Sequence, residues 1–502
     1  MTSTSLWTLV AIQIAMAAFD TIYHHEMTER LVWRPKQRRE LALHAARSLL
    51  YAALFLTLGF FEPHGLWAML TIVVLSVEVV ITLTDFVEED MTRKLPATER
   101  VTHTLLALNY GAILALLLPV LLAWAALPTE IKPVFYGLPS VLAPIAALGA
   151  IIFGTRELAA SLRSCRLGHG CVDTLVDALG ERQAVLVTGA TGFIGTRLVE
   201  ALTAAGHDVT VLTRNATKAS TLRPPFRLVT SLEQIPTDAR IDAIINFAGE
   251  PIANGLWTRA KRRRIIDSRL HMTADVIELI SQLERPPSVL VNASAVGWYG
   301  PRDDECLTES SEGKPSFGYD VCEAWETAAR AAERFGVRVV LLRIGIVLGT
   351  EDGMLGQLLT PFEYGFGAAM GSGRQWIPWI ARDDMVRLIA HVIAHPELSG
   401  PVNATAPEPA QNIEFTKELG RALHRPAVLR IPAWLLHHAA GDLADELLLG
   451  SKRVLPAKAL ASGFTYRYPT LRGALSAILG AREAEGTPAP SDYAHMPLSH
   501  SR

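Results

Sequence analysis

The chain has 502 residues, enough for two to four folded units at roughly 100 to 200 residues each, so a single small domain is excluded. Charged residues make up 19% and hydrophobic ones 50%, a charge deficit against the roughly 25% of an ordinary soluble domain, which places part of the chain out of water. A formal net charge of −3 leaves no basic excess for neutralising phosphates, so nucleic-acid binding has no compositional support, and four cysteines do not make a disulfide framework.

Residues 1–160 carry the excess hydrophobicity in five runs, Leu6 to Tyr23, Leu41 to Phe61, Leu66 to Phe86, Thr104 to Leu127 and Val141 to Leu158. Each is about the length that crosses a hydrocarbon core. Arg30, Arg34, Lys36, Arg38 and Arg39 lie between the first two runs. Arg93, Lys94 and Arg100 lie between the third and fourth, and Arg156, Arg163 and Arg166 follow the start of the last helix end, whereas the two remaining connections hold only Lys132. The positive-inside rule then sets the N-terminus outside, five crossings, and everything after residue 160 in the cytoplasm, an integral inner-membrane protein. Ala15-Met16-Ala17 resembles a signal-peptide cleavage site, but the stretch before the first run lacks Lys and Arg, so a retained helix is the reading adopted.

Ionisable residues in such helices are costly and therefore informative. Asp20 and His24, Glu40 and His44, and Glu99 and His103 repeat an acid-then-histidine spacing of four, and Glu78 and Asp85 stand seven apart on one face of the third helix. A helical bundle would bring these oxygen and nitrogen ligands to about one depth, as in a carboxylate and histidine metal site for iron, zinc or another first-row ion, or a proton-handling site. A solvated helix rim is the competing account; it suits Asp20, Glu99 and His25, and suits Glu78 poorly.

Residues 161–182 read as a polar linker, in which Cys165, His169 and Cys171 could supply metal ligands. Ala184 to Thr188 reads as a buried strand, followed by Gly189-Ala190-Thr191-Gly192-Phe193-Ile194-Gly195 and a helix over Thr196 to Ala205. Glycines serve a turn that must bend tightly, approach a diphosphate and pack against the helix, whose N-terminal amides hold the anion. A second strand, Asp208 to Leu212, ends in Thr213-Arg214 with no carboxylate, so Arg214 would pair with a 2′-phosphate and the cofactor is expected to be NADP(H). Further strands at Ala243 to Phe247, Ser288 to Asn292 and Val337 to Arg343 alternate with helical patterns, giving an α/β fold of the Rossmann type, a doubly wound parallel sheet. Phe247, Ala248 and Gly249 follow one strand end and Ser294 to Gly300 another, where such sheets bind ligands.

These residues, with Leu342-Arg343 and Gly349, resemble the extended short-chain dehydrogenase/reductases of the epimerase branch. Ser268-Arg269, Val321-Cys322, Trp325-Glu326, Gln375-Trp376, Trp379 to Asp384, Thr405 to Pro409, Leu423 to Pro426, and Val454 to Tyr468 look like its atypical epimerase-like family with a small C-terminal domain. The resemblance spans residues 183–482 and implies a Rossmann domain over 183–425, a small substrate-side domain over 426–482, and Ser268 and Arg269 at the cofactor; residues 483–502 read as a disordered tail. It further implies a serine-assisted tyrosine, with Ser294 and Tyr319 at those places, as catalytic residues. Two positions depart from the pattern: Glu323 stands where the superfamily has lysine, and Ala381 where the family usually has histidine.

Glu250, Trp298, Tyr299, Gln375 and Trp376 are candidates for the substrate side, whereas packing explains Trp325 and Glu326 at least as well as chemistry. Lys261 to Arg264 could touch lipid headgroups or be a solvated helix face. The expectation is a membrane-anchored NADP(H)-binding oxidoreductase or epimerase-like enzyme acting on a small-molecule or lipid-linked substrate, coupled to a metal site at the cytoplasmic face of the bundle. The alternative is a membrane-anchored dinucleotide sensor or scaffold without turnover.

Overall fold

The computed structural model describes residues 4–93, 95–164, 172–220 and 222–480. Lys94, Cys165, Arg166, His169, Cys171 and the tail 483–502 lie outside the described residues. The chain divides into two compact units, Met1–Leu167 and Gly168–Arg502.

The first unit contains α1 (Thr4–Phe19), α2 (Arg38–Phe60), α3 (Leu66–Thr92), α4 (Ala97–Ala125) and α5 (Leu138–Ser164). With a π-helical extension of α1 through Asp20–Thr28, all five are long and apolar enough to cross a membrane. Leu6, Leu54, Leu58, Leu75, Ile113, Leu117 and Leu121 form its apolar core. Small residues let α2 and α5 approach closely: a Cβ on Gly59 would stand 2.5 Å from that of Ala143, and one on Gly154 3.0 Å from that of Ser48. Polar bonds add to this, with the Ser140 hydroxyl donating to the Gly59 carbonyl at 2.6 Å and the Asn109 amide to Gln13 at 2.8 Å. The strands β1 (Phe61–Pro63) and β2 (Ile131–Pro133) join the α2–α3 and α4–α5 connections as an antiparallel pair.

The second unit runs β3 (Ala184–Thr188), α6 (Phe193–Ala204), β4 (Asp208–Leu212), α7 (Ala216–Ala219), β5 (Arg227–Val229), β6 (Ala243–Asn246), α8 (Arg259–Gln282), β7 (Val289–Ala295), β8 (Cys306–Leu307), α9 (Phe317–Arg330) and β9 (Arg338–Ile344). It continues with β10 (Ile346–Leu348), α10 (Gly353–Glu363), β11 (Ala368–Met370), β12 (Trp376–Ile377), β13 (Trp379–Ala381), α11 (Arg382–Ala394), β14 (Gly400–Ala404), β15 (Ala410–Gln411), α12 (Asn412–Ala422), β16 (Leu429–Ile431), α13 (Ala433–Ala440) and β17 (Arg453–Val454). Seven strands form one parallel sheet in the order β14-β9-β7-β6-β3-β4-β5. The central strands β3, β6, β7 and β9 are Val, Leu and Ile rich and buried on both faces, as a covered parallel sheet requires. Chain order reverses between β3 and β6, which makes this a Rossmann-type doubly wound sheet with its crevice at those strand ends.

The C-terminal stretch is tied into the same unit, β16 pairing with β11 and β17 with β8. Buried Asp384 at the start of α11 accepts from the backbone amides of Arg467 and Tyr468 at 2.8 Å each, pinning that stretch. On the same helix His391 is buried against the His395 ring, with centroids 3.7 Å apart. Burial first and the neighbouring imidazole second push its pKa down to about 4. A histidine depressed when folded but near 6.5 when unfolded stabilises the fold above 6.5, and that contribution is lost as pH falls from 6.5 towards 4. Thermal unfolding of the full chain between pH 7 and pH 5 is therefore expected to show a smaller loss of Tm for His391→Gln than for the wild type; parallel curves would refute the assignment.

Candidate functional site

The cofactor crevice is built by three glycines that the backbone demands. Gly189 has φ +69°, and a Cβ there would fall 2.6 Å from the Phe247 carbonyl carbon. A Cβ on Gly195 would stand 2.2 Å from the Gly189 carbonyl oxygen, whereas one on Gly192 would meet only that oxygen, at 3.2 Å. The turn thus packs tightly inward at Gly189 and Gly195 and stays open at Gly192, the position a diphosphate must approach. Thr191, Phe193 and Ile194 complete the turn at the N-terminus of α6, whose amides and dipole suit an anion.

Across the crevice, the Thr188 hydroxyl at the end of β3 donates to Asn246 at 2.7 Å and accepts from the amides of Phe247 (3.2 Å) and Ala248 (3.3 Å). This threonine, absent from the sequence expectation, fixes the second rim of the site. Ser268 and Arg269 sit behind that rim. The Ser268 hydroxyl accepts from the Glu250 amide at 2.9 Å, and Arg269 donates to the Glu250 carbonyl at 3.1 Å while its guanidinium lies 3.2 Å from where a Gly249 Cβ would be. They hold the Gly249 loop in place. Arg214 is exposed just beyond β4, opposite the turn, where a 2′-phosphate partner belongs. The residues present therefore fit a phosphorylated dinucleotide.

Ser294 and Tyr319, the expected catalytic pair, are each hydrogen-bonded to a different carboxylate. Ser294 is buried and its hydroxyl donates to Glu326 at 2.7 Å. Glu326 is itself held by Arg343 through two bonds of 2.9 and 3.1 Å, and Arg343 donates to Tyr299, whose hydroxyl donates to Asn403 at 2.7 Å. Glu326, for which the sequence leaves packing and chemistry both open, is thus the partner that Ser294 addresses. Tyr319 donates instead to Glu323 at 2.9 Å, and that bond raises the tyrosine pKa, the reverse of what a lysine there would do. Cys322 is a core thiol whose pKa burial pushes up to about 11.

Of the substrate-side candidates, Tyr299 and Gln375 are buried and structurally engaged, the Gln375 amide donating to the carbonyls of Met370 and Leu448. Trp376 donates to Asp304 at 2.6 Å, and Lys261 pairs with Glu250 at 2.7 Å. With Arg262 bonded to Asp442, two of the four basic residues at 261–264 are used inside the unit and only Arg263 and Arg264 are exposed.

In the first unit the acidic and histidine side chains do converge at one end of the bundle. Glu40, His44, Glu99 and His103 are joined there by His25, Glu89 and Glu157, in groups whose ligand atoms lie within 4.8 Å of one another. Asp20 and Asp85 stand outside those groups as partners, Asp20 at 2.8 Å from His24 and 3.1 Å from His103, and Asp85 at 3.0 Å from His44. His24 is taken up by Asp20 and by Thr98 at 3.2 Å. Glu78 lies apart, its Oε1 accepting from Tyr51 at 2.6 Å and from Thr82 at 2.7 Å. His25, which the solvated-rim reading covers in the sequence, is instead buried. The π-helical segment Asp20–Thr28 brings residue i+5 over residue i, and His25 Nε2 comes 3.4 Å from Asp20.

Comparison with known proteins bears on the second unit. Residues 185–404 match the NAD dependent epimerase/dehydratase family, and residues 431–478 match a domain of unknown function, DUF1731. An epimerase family protein of Arabidopsis thaliana, the chloroplastic SDR39U1 homolog, is 38% identical over 305 residues, 59% of this chain and 87% of its own length. The epimerase family protein YfhF of Bacillus subtilis is 35% identical over 60% of this chain and 99% of its length. The crystal structure of the human epimerase family protein SDR39U1 with NADPH covers 59% of this chain and 99% of that one, at 32% identity and a TM-score of 0.53.

Proposed function

Since the chain belongs to the NAD dependent epimerase/dehydratase family and is an NAD(P)-binding protein of that family through its second unit, we propose that it is a membrane-anchored, NADP(H)-dependent oxidoreductase or epimerase-like enzyme whose first unit adds a metal site. The observation that carries this reading is the Gly189-to-Gly195 turn between β3 and α6, at the switch point of the sheet. The diphosphate would rest on the open Gly192 side, and Arg214 would receive the 2′-phosphate. When bound, the nicotinamide supplies hydride transfer. The protein's own part is to hold the cofactor between the turn and the Thr188-stitched rim, and to present the loop after β7 to the substrate.

Anchoring is supported by the five apolar helices and by their outward side chains, Val80, Leu108 and Ile145 being 63%, 68% and 64% exposed. The basic residues after the first, third and fifth helices accord with a cytoplasmic side for those connections and for the second unit. A hydrophobic or lipid-linked substrate accords with the apolar surface on neighbouring segments of that unit, where Val428, Trp434 and Phe366 stand out. Reporter fusions at the C-terminus that are active only in the periplasm would overturn the topology.

The cofactor is tested by equilibrium dialysis of the full chain against NADPH and NADH. NADPH is expected to be retained more tightly, and Arg214→Ala to reduce that preference by about tenfold, the ~1.4 kcal/mol of one charge-assisted contact. An unchanged preference would remove Arg214 from the 2′-phosphate site. A second reading, a dinucleotide-binding sensor or scaffold, is favoured by one observation: Tyr319 is bonded to Glu323 and Ser294 to Glu326. Retention of NADPH without turnover, with or without added iron, supports that reading.

A further inference from the structure

We propose that the converging end of the bundle is a centre for two divalent first-row cations, with the Glu89 carboxylate spanning both. This rests on the metal reading above and adds the number of ions, the bridging ligand and the outer partners.

Among the described residues three overlapping groups of ligand atoms are present; His25, His44 and Glu157 form one, and the other two share Glu89. Of these two sets, one consists of His25, Glu89, Glu99 and His103, the other of Glu40, His44 and Glu89, each within 4.8 Å. Ligands about 2.1 Å from a common ion lie no more than ~4.2 Å apart, so each set needs only a small contraction. Glu89 belongs to both, and its oxygens diverge: Oε2 lies 3.3 Å from His103 Nδ1, and Oε1 3.7 Å from His44 Nε2. The atoms that face these positions are unsatisfied. Glu89 is 1% exposed, His44 1% and His25 4%, yet neither oxygen of Glu89 and no ring nitrogen of His25 or His44 makes a hydrogen bond of good geometry, although Asp85 approaches His44 Nε2 to 3.0 Å and Arg93 approaches Glu89 Oε1 to 3.5 Å. Buried polar atoms are rarely left in that state unless an ion or water is to fill the space between them.

The surroundings of the histidines point the same way. Metal-binding histidines turn their second ring nitrogen to a carboxylate, which fixes the tautomer. His103 directs Nε2 to Asp20 at 3.1 Å, leaving Nδ1 for the ion. His25 and His44 stack in parallel, 4.7 Å between centroids and 7° apart, and both aim Nδ1 at one oxygen of Glu157, at 3.9 and 3.5 Å. Their Nε2 atoms are thereby turned to the opposite side, that of His25 lying 3.4 Å from Asp20 and 3.8 Å from Glu99, and that of His44 3.0 Å from Asp85 and 3.7 Å from Glu89.

Charge agrees with two ions. Of the eight buried carboxylates among the described residues of this unit, Glu26 is paired with Arg156 and Glu78 lies apart against Tyr51 and Thr82. The six around the two sets, Asp20, Glu40, Asp85, Glu89, Glu99 and Glu157, meet two guanidinium groups, Arg47 and Arg93, which leaves four negative charges there. Two divalent cations neutralise four. Arg93 contacts Glu40 and Glu99 without exhausting them, because an ionised carboxylate has about four lone-pair positions. Mixed imidazole and carboxylate ligands suit iron, manganese or zinc. Protonation of the four histidines His24, His25, His44 and His103 would balance the same charge with no metal, and metal content separates the two accounts.

The experiment uses the full chain in detergent, stripped by a chelator and reloaded with Mn²⁺ alone, with metal counted per chain and the electron paramagnetic resonance spectrum recorded. Two ions with an exchange-coupled spectrum are expected. Glu89→Ala should abolish the coupling and at least one ion, Glu157→Gln should keep two ions with affinity weakened about 10- to 100-fold, and Glu78→Gln should change neither. One uncoupled ion per wild-type chain would overturn the two-ion centre and leave a single metal site standing; no retained ion would overturn both. The wild-type count decides even if Glu89→Ala does not fold.

Discussion

Gly195→Ala is expected to abolish NADPH binding and to destabilise the second unit, while Gly192→Ala weakens binding in a unit that folds normally. The difference follows from what each new methyl meets. At 195 it lies 2.2 Å from the Gly189 carbonyl oxygen and 2.7 Å from the Ala190 Cα, backbone atoms that cannot rotate away, so the turn must separate from α6. At 192 it meets a single oxygen at 3.2 Å and otherwise projects to the side a diphosphate approaches. Loss of at least ~100-fold in affinity, about 2.7 kcal/mol, is expected for both, read by dialysis or calorimetry. Thermal unfolding separates them, since overpacking at 195 should cost roughly 1–3 kcal/mol or more and 192 little. A Gly195→Ala protein that binds NADPH like the wild type would disprove the assignment of the crevice.

The second large effect is expected at Glu326. Glu326→Ala leaves the Arg343 guanidinium buried with Tyr299 as its remaining hydrogen-bond partner and frees the Ser294 hydroxyl. Removing one member of a buried ion pair costs about 3–5 kcal/mol, because the desolvated charge stays behind. Glu326→Gln keeps an acceptor for Ser294 and should lose less. Urea denaturation of the two variants gives the comparison, and near-wild-type stability of Glu326→Ala would show that water or a rotated Arg343 replaces the pair. The stability of the Glu326→Gln variant also bears on chemistry. If that variant folds and any turnover persists, Ser294 does not depend on the carboxylate to act.

Much of the second unit was legible because its signals are local. Ala184 to Thr188 and Asp208 to Leu212 are strands with the bounds expected of them, and the glycine spacing states its own backbone requirement. What sequence does not display is which distant side chain closes on which. Ser294 and Glu326 are 32 residues apart, and only the packing of α9 against β7 makes them partners. In the first unit, the acid-then-histidine spacing located Glu40, His44, Glu99 and His103. The same periodic argument favours His24, because it presumes an α-helix where the chain unwinds into a wider turn and presents His25. Glu89 stands four residues after Asp85 on the same face, a signal that was available, whereas Glu157 carried none.

The antiparallel pair β1 and β2 sits at the end of the bundle away from the histidines, above a core of leucines. Traffic through the helices from one face of a bilayer to the other would have to part that ladder and cross that dry interior. In the membrane-spanning reading proposed above, whatever reaches the histidine end would therefore come from its own side or laterally between helices, and not past that ladder.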